Sequence, residues 1–347
     1  MPATSPIRKS SRVPGAKILI TASALAATLA GWASLSWKAS ADSASAAPSL
    51  AMGSRMLVAA DTAAAAERID RVPWWFRAWE ACLTRFQPDS ELSTLNRAAR
   101  EAFAVSEVLW DALQASLSAE RFSDGLVRPT LAPWVEAAGY DRTFEAVLDI
   151  QTSSATVLAP PVSARTEILL DAKRRCVTLA EGCQLDLGGT AKGWAADRAM
   201  HRLQSLGSCL VDAGGDIAIH GPRLDGRGWP VGIGDPFRPG ESIDLLCLTQ
   251  GGVATSGRDY HCWQRDGIWQ HHVLDPRTGL PASTDVLTAT VVARNTVEAE
   301  AAAKVALILG SNTALDWLDS QPSLAGLLVL EDGSVRRSRR LSRFLWR

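Results

Sequence analysis

The sequence predicts an α+β (α/β mixed) fold: one globular body on a largely antiparallel sheet with packed helices. Three observations carry that prediction. Strand-like runs at 208–212, 216–220, 229–233, 243–249 and 286–293 follow one another without a regular helix between each pair, so the alternation of a parallel βαβ sheet is missing. Helical spacing is concentrated before residue 206 and in one late segment. Of 347 residues, 47% are hydrophobic and 21% charged, enough apolar surface for a core and too little charge for a disordered chain.

Taken in order, Met52–Ala60 reads as the first strand. Residues 62–85 repeat Ala, Ile, Trp and Leu at the helical period and end in the turn Phe86-Gln87-Pro88-Asp89-Ser90. Ser106 stands as the N-cap of a helix carried by Val108, Leu109, Leu113 and Leu117. Residues 126–140 mix Pro129, Pro133 and Gly139 with Trp134 and read as an irregular, packed lid. From 167 to 187 the pattern alternates as strands, Gly188-Gly189 breaks it, and 190–206 returns to helical spacing. A last helix is expected at about 297–309, then a closing strand at 325–330 with a turn at Gly333. No repeat of fixed period occurs.

The N-terminus carries Arg8, Lys9, Arg12 and Lys17, then apolar and small residues to about Leu35, then Ala39-Ser40-Ala41. This is the grammar of export, either as a cleaved signal peptide over 1–41 or, given the length of the apolar stretch, as an uncleaved anchor. Residues 42–50 read as a linker, 51–335 as the domain, and 336–347, with Arg336, Arg337, Arg339 and Arg340, as a basic, solvated tail. Lys and Arg number 36 against 37 Asp and Glu, so no basic surplus points to nucleic acid. Six cysteines without a C-x-x-C pair argue against zinc. Cys176 and Cys183 flank a turn, either as a disulfide across a hairpin or as two buried thiols.

Five clusters carry chemistry. Asp186-Leu187-Gly188-Gly189-Thr190-Ala191-Lys192-Gly193 is a strand, a glycine turn and a helix start, where free N–H groups and an ammonium suit a pyrophosphate. Asp212-Ala213-Gly214-Gly215-Asp216 is a turn between strands, with Asp216 placed to accept hydrogen bonds. Ala254-Thr255-Ser256-Gly257 is expected as a third turn. His271-His272-Val273-Leu274-Asp275-Pro276-Arg277-Thr278-Gly279 gathers the densest polar set. Glu300 and Lys304 share a helix face at i, i+4 spacing, which by itself is an ordinary ion pair of roughly 0.3–0.5 kcal/mol. Glycine turns with few strong bases fit a pyrophosphate ligand and phosphoryl-type transfer driven by positioning and charge.

In order, these segments resemble the ApbE family of FAD:protein FMN transferases from about Met52 to Gly310. Met52-Gly53-Ser54 is similar to the family's M-G-T, and Arg85-Phe86-Gln87-Pro88-Asp89-Ser90 through Asn96 to its R-F-x-P-x-S segment. Gly125–Thr130 with Trp134 and Gly139-Tyr140 is similar to G-x-F-D-P-T followed by W-G-[FY], and the D-L-G-G-x-A-K-G, G-G-D-I, A-T-S-G and H-x-x-D-P-x-T-G segments are retained. The resemblance implies a T-fold-like body and a periplasmic enzyme, soluble or membrane-anchored facing the periplasm. Such an enzyme cleaves FAD, joins FMN to a threonine of an acceptor flavoprotein, typically a membrane redox subunit, and releases AMP. It implies magnesium bridging the pyrophosphate. It places Asp186, Lys192, Leu126, Val127 and Arg128 on FAD, with Met52 and His272 near it and Gly215, Asp216, Ser256 and Asp275 completing the set. The Gly189 carbonyl and Glu300 would hold the metal, and Glu300, Lys304 and His272 would serve the reacting end.

The late helix departs from the family's D-x-x-x-T metal motif, with Glu300 at the Asp position and Lys304 at the Thr position. An ammonium has no lone pair for a cation and repels it. Arg128 likewise stands where the family usually has Asp, and Asp212 where Asn is common. Two readings follow. Either Lys304 replaces the metal, leaving weak metal-free transfer or mere FAD holding, or a metal binds through Glu300, Asp275 and backbone oxygens. A flavin-delivery protein and an FAD pyrophosphatase are the alternatives to the transferase.

Overall fold

The computed structural model describes residues 44–45, 49–62, 65–98, 100–143, 168–259, 262–265 and 268–347. The expected signal or anchor lies outside them. Among the described residues no helix is long and apolar enough to cross a membrane.

The architecture is the expected α+β body with an antiparallel sheet. Its spine is seven strands whose order in the sheet is their order in the chain: β1 (Ser54–Ala60), β2 (Cys209–Ala213), β3 (Asp216–His220), β4 (Gln250–Gly257), β5 (Val286–Ala293), β6 (Ala325–Leu330) and β7 (Val335–Arg337). Each neighbouring pair is antiparallel. Ala44–Ser45 and Ser49–Ala51 pair with the outer edge of β1. The strand expected at Met52–Ala60 begins at Ser54, because the chain reverses at Met52 and Gly53, both at positive φ; the reversal folds Ser49–Ala51 back on β1, so the end of the expected linker is strand as well.

Between β1 and β2 lie α1 (Val72–Leu83), α2 (Glu91–Arg97), α3 (Glu107–Phe122), α4 (Ala132–Ala137) and α5 (Ala191–Leu203). Between β5 and β6 lie α6 (Thr296–Leu309) and α7 (Ser311–Ser320). Ser106 caps α3 as expected, its hydroxyl accepting from the Leu109 N–H. The segment expected as an irregular lid contains a 3₁₀ turn (Pro129–Leu131) and α4, because Pro133 sits in the first turn of α4, where its missing N–H costs nothing. Ala254–Gly257, expected as a turn, is the end of β4, paired with β5 throughout and with β3 at Ala254 alone. Helix α7 carries no strong sequence signal, since Gly310 breaks the periodicity immediately before it.

The strands alternate between two cores. Met56, Val58, Val211 and Ala213 face the helices, while Ala59, Leu210, Ile217 and Val253 face a hairpin of Trp229–Gly234 and Ser242–Leu248 on the other side. With both faces covered, β2 and β6 are buried at every position, and the sequence reads as an apolar run where a solvated sheet would alternate.

The C-terminal segment corrects the expected solvated tail. Val335–Arg337 is the edge strand, Leu341 is buried in the hairpin-side core, and the Phe344 carbonyl and Trp346 N–H bond to the Cys247 N–H and Leu245 carbonyl. The arginines reach outward from a backbone that is fixed. The disulfide alternative also falls. Among the described residues all six cysteines are free, Cys176 lies opposite Asp171 and Ala104, and Cys183 sits in the helix-side core.

Candidate active site

One end of the sheet opens into a cavity of about 670 Å³. Four features meet there: the Met52–Ser54 reversal before β1, the β2–β3 turn, the last residues of β4, and the start of α5. The β2–β3 turn needs its glycines, since Gly214 and Gly215 stand at φ 73° and 94°, and a Cβ on Gly214 would lie 2.4 Å from the Ser54 Cβ. Met52 holds φ 51° without being glycine, a strained conformation at the cavity wall.

Most of the expected residues do meet at this cavity. Met52, Gly215, Ser256 and His272 line it, as do Leu126, Val127 and Arg128 from the loop after α3. Asp186, Gly189 and Lys192 line it from the turn into α5, and Lys304 from α6. Three of the expected residues do not line it. Asp216 lies behind Lys192, fully buried, and accepts from its ammonium. Glu300 is fully buried behind Lys304. Asp275 turns its carboxylate onto Arg277 at 2.7 and 2.9 Å, where it organises the Asp275–Gly279 turn. His271 is also withdrawn. Buried, with Nε2 donating to the Ala282 carbonyl at 2.9 Å, it is pushed down to about 4 by desolvation.

Asp186 is bound into the protein rather than left free for a ligand. Its Oδ2 accepts from Arg85 at 2.9 Å and its Oδ1 from the Gly188 N–H at 2.7 Å. Arg85 is the residue that sequence reasoning passed over. Its guanidinium lies 4.3 Å from the Phe86 ring centroid and 5.2 Å from that of Tyr140, and all three line the cavity. Tyr140 stacks in turn on Trp263, with centroids 5.5 Å apart. The signal was present in Arg85-Phe86 and Gly139-Tyr140, but nothing in either segment says that they share a wall.

Electrostatically the site rests on a chain of alternating charge. Lys192 binds Asp216 and stands 3.9 Å from Glu300 Oε1; Lys304 donates to that same oxygen at 2.9 Å. Glu300 Oε2 accepts from the Gly193 N–H at 2.9 Å. Burial disfavours the Lys192 cation, yet the carboxylates of Asp216 and Glu300 outweigh it and raise its pKa. Burial, seconded by the charge of Glu300, pushes the Asp216 carboxyl up against the pull of both lysines. Asp212 is pushed up to about 6 by burial, with the Gly215 N–H and Lys192 opposing. The wall therefore presents two ammonium groups backed by carboxylates, and it suits a polyanion with an attached ring system.

The magnesium ion implied by the resemblance does not fit this arrangement. Both oxygens of Glu300 are engaged, one by a backbone N–H and one by Lys304. Among the described residues no group of three His, Cys, Asp or Glu side chains converges as a metal cage. A dication on Glu300 Oε1 would displace Lys304 and stand close to its ammonium. At about 4 Å and an effective dielectric of 20 that repulsion is about 8 kcal/mol.

Comparison with known proteins agrees with the fold. A profile of the ApbE family matches residues 52–328. The chain is 32% identical over 274 residues to the FAD:protein FMN transferase of Treponema pallidum (strain Nichols), covering 75% of this chain and 76% of that protein. It is 25% identical over 270 residues to an FAD:protein FMN transferase of Klebsiella pneumoniae (strain 342), covering 76% and 83%. Among solved structures, the ApbE protein of Thermotoga maritima superposes with a TM-score of 0.75 at 26% identity, over 87% of this chain and 99% of that one. The flavin transferase ApbE of Vibrio cholerae shares the fold, with a TM-score of 0.69 at 22% identity over 88% and 99%. With the family profile spanning most of the chain and the glycine turns gathered around one cavity, the chain belongs to the ApbE family.

Proposed function

We infer that this chain is an FAD:protein FMN transferase, an enzyme that takes FAD as substrate and leaves FMN on an acceptor protein. The observation that carries the reading is the cavity itself, where the Lys192 and Lys304 ammonium groups, the Gly188-Gly189 and Gly214-Gly215 turns and the Phe86–Tyr140 aromatic wall line one space. A pyrophosphate flanked by two ring systems matches that lining. The acceptor's threonine Oγ attacks the phosphorus on the flavin side, forming the new O–P bond. The bond from that phosphorus to the bridging oxygen breaks, and its electron pair leaves with AMP. The hydroxyl proton passes to His272, which lines the cavity. The lysines hold the phosphoryl oxygens and offset the charge that gathers on them. The lysines carry this role in place of magnesium, because both oxygens of Glu300 are already engaged by the Gly193 N–H and the Lys304 ammonium.

The acceptor is a flavin-bearing subunit of a membrane redox complex, and the enzyme meets it on the periplasmic side. The export grammar of residues 1–41 supports that location, as signal peptide or as anchor. The test is incubation of the purified protein with FAD and a purified redox-complex subunit that carries an acceptor threonine. A flavin-fluorescent, covalently modified acceptor with one AMP per adduct is expected. Free FMN and AMP without acceptor would make the protein a pyrophosphatase, and bound but intact FAD would make it a flavin-delivery protein.

A further inference from the structure

Helices α5 and α6 cross near their N-termini, and each supplies the other's cap. Asp197 of α5 accepts from the Thr296 and Val297 N–H groups of α6 at 2.9 and 3.0 Å. Glu300 of α6 accepts from the Gly193 N–H of α5 at 2.9 Å. Asp197 is the seventh residue of α5 and Glu300 the fifth of α6, and the Gly193 N–H gives Glu300 a structural partner that owes nothing to a ligand. Lys304, one turn further on, donates to the second oxygen of Glu300 at 2.9 Å. An ammonium has three N–H donors. Among the described residues Glu300 is the hydrogen-bond partner of Lys304, and the ammonium lines the cavity with a side-chain exposure of only 12%. Two donors of a largely buried cation thus remain for whatever fills the cavity. Lys192 stands beside it on the same wall, its own ammonium on Asp216.

We propose that the Lys304 ammonium, fixed on Glu300, is a built-in cation for the FAD pyrophosphate, so that this protein binds FAD and transfers FMN without a divalent metal. The inference rests on the transferase reading for the identity of the ligand. A tethered ammonium supplies directional donors to phosphate oxygens and a single positive charge that does not dissociate. Its cost was met when the helix pair folded, because the ion pair with Glu300 already orders the side chain. A dication would have to break that pair first.

The experiment is a titration of the full chain, stripped with EDTA, with FAD and separately with riboflavin, each with and without added magnesium chloride. Flavin fluorescence reads the affinities. The FAD affinity is expected to be the same in all metal conditions. Lys304→Met is expected to weaken FAD by about 10- to 100-fold and leave riboflavin unchanged, since riboflavin has no phosphate to lose. Magnesium tightening the native protein's hold on FAD tenfold or more would overturn the proposal, as would unchanged FAD affinity in Lys304→Met. Should that variant melt early or lose riboflavin as well, Lys304→Gln decides: weakened FAD with intact riboflavin supports the proposal, and unchanged FAD overturns it. The acceptor assay separates the two readings. Metal-free FAD binding without any adduct removes the transferase reading alone. Adduct formation abolished by EDTA and restored by magnesium removes the built-in cation alone.

Discussion

Asp212, next to the last residue of β2, has one carboxylate oxygen on the Gly215 N–H at 2.7 Å and 6% of the residue exposed. Burial pushes its pKa from 3.8 up to about 6. Between those values the unfolded chain gives up a proton that the folded chain keeps, so stability falls as pH rises through the window and stays reduced above it. Asp259, pushed up to about 6 by burial, acts in the same direction. His271 opposes both. Its pKa is pushed down from 6.5 to about 4, so stability is lost as pH falls through that range. Asp212→Asn keeps an acceptor for Gly215 and removes the titration. We expect a higher melting temperature than the native protein at neutral pH and no advantage below about pH 4. A melting difference that is constant with pH would contradict this account of Asp212. The glycine turn around this residue was plain in the sequence; its burial was not, because that depends on both faces of β2 being covered.

Helix α6 is alanine-rich and buried on almost every side, packed on β4, β5, α5 and α7. A helix apolar all round has no free face from which to read an orientation. For that reason the sequence showed Glu300 and Lys304 as i, i+4 neighbours, but not that Gly193 lies against them. The crossing is close enough to exclude a side chain: a Cβ on Gly193 would meet Glu300 Oε2 and the Thr296 carbonyl oxygen, both at 2.9 Å. Gly193→Ala is therefore expected to cost about 1–3 kcal/mol of stability, read from denaturant unfolding, because backbone must move to relieve the clash. The same variant should weaken FAD binding, since it displaces the carboxylate that holds Lys304. A stability within a few tenths of a kcal/mol of native would show that the helices can separate freely.

Across the whole molecule, the sheet is closed on one side by helices and on the other by the Trp229–Leu248 hairpin with the C-terminal segment laid against it. Charge suggested a solvated tail, yet Leu341 belongs to the core and Arg337 bonds to Asp244 at 2.9 Å. Ending the chain at Arg337 removes Leu341, Phe344 and the two backbone bonds to the hairpin. We expect a clear drop in melting temperature and aggregation on heating; an unchanged melting curve would mean that the segment merely rests on the surface. Patterns carried by residues close in the chain were legible. The strands, the Ser106 cap, the glycine turns and the cavity's Lys192 after its glycine turn all depend on local periodicity and backbone freedom, which sequence encodes directly. What tertiary structure alone decided is how the charges are matched: Arg85 onto Asp186, Lys192 onto Asp216, and Glu300 between Gly193 and Lys304. Two of those pairs, Arg85 with Asp186 and Gly193 with Glu300, lie about a hundred residues apart, and their pairing energy exists only once packing has removed water from between them.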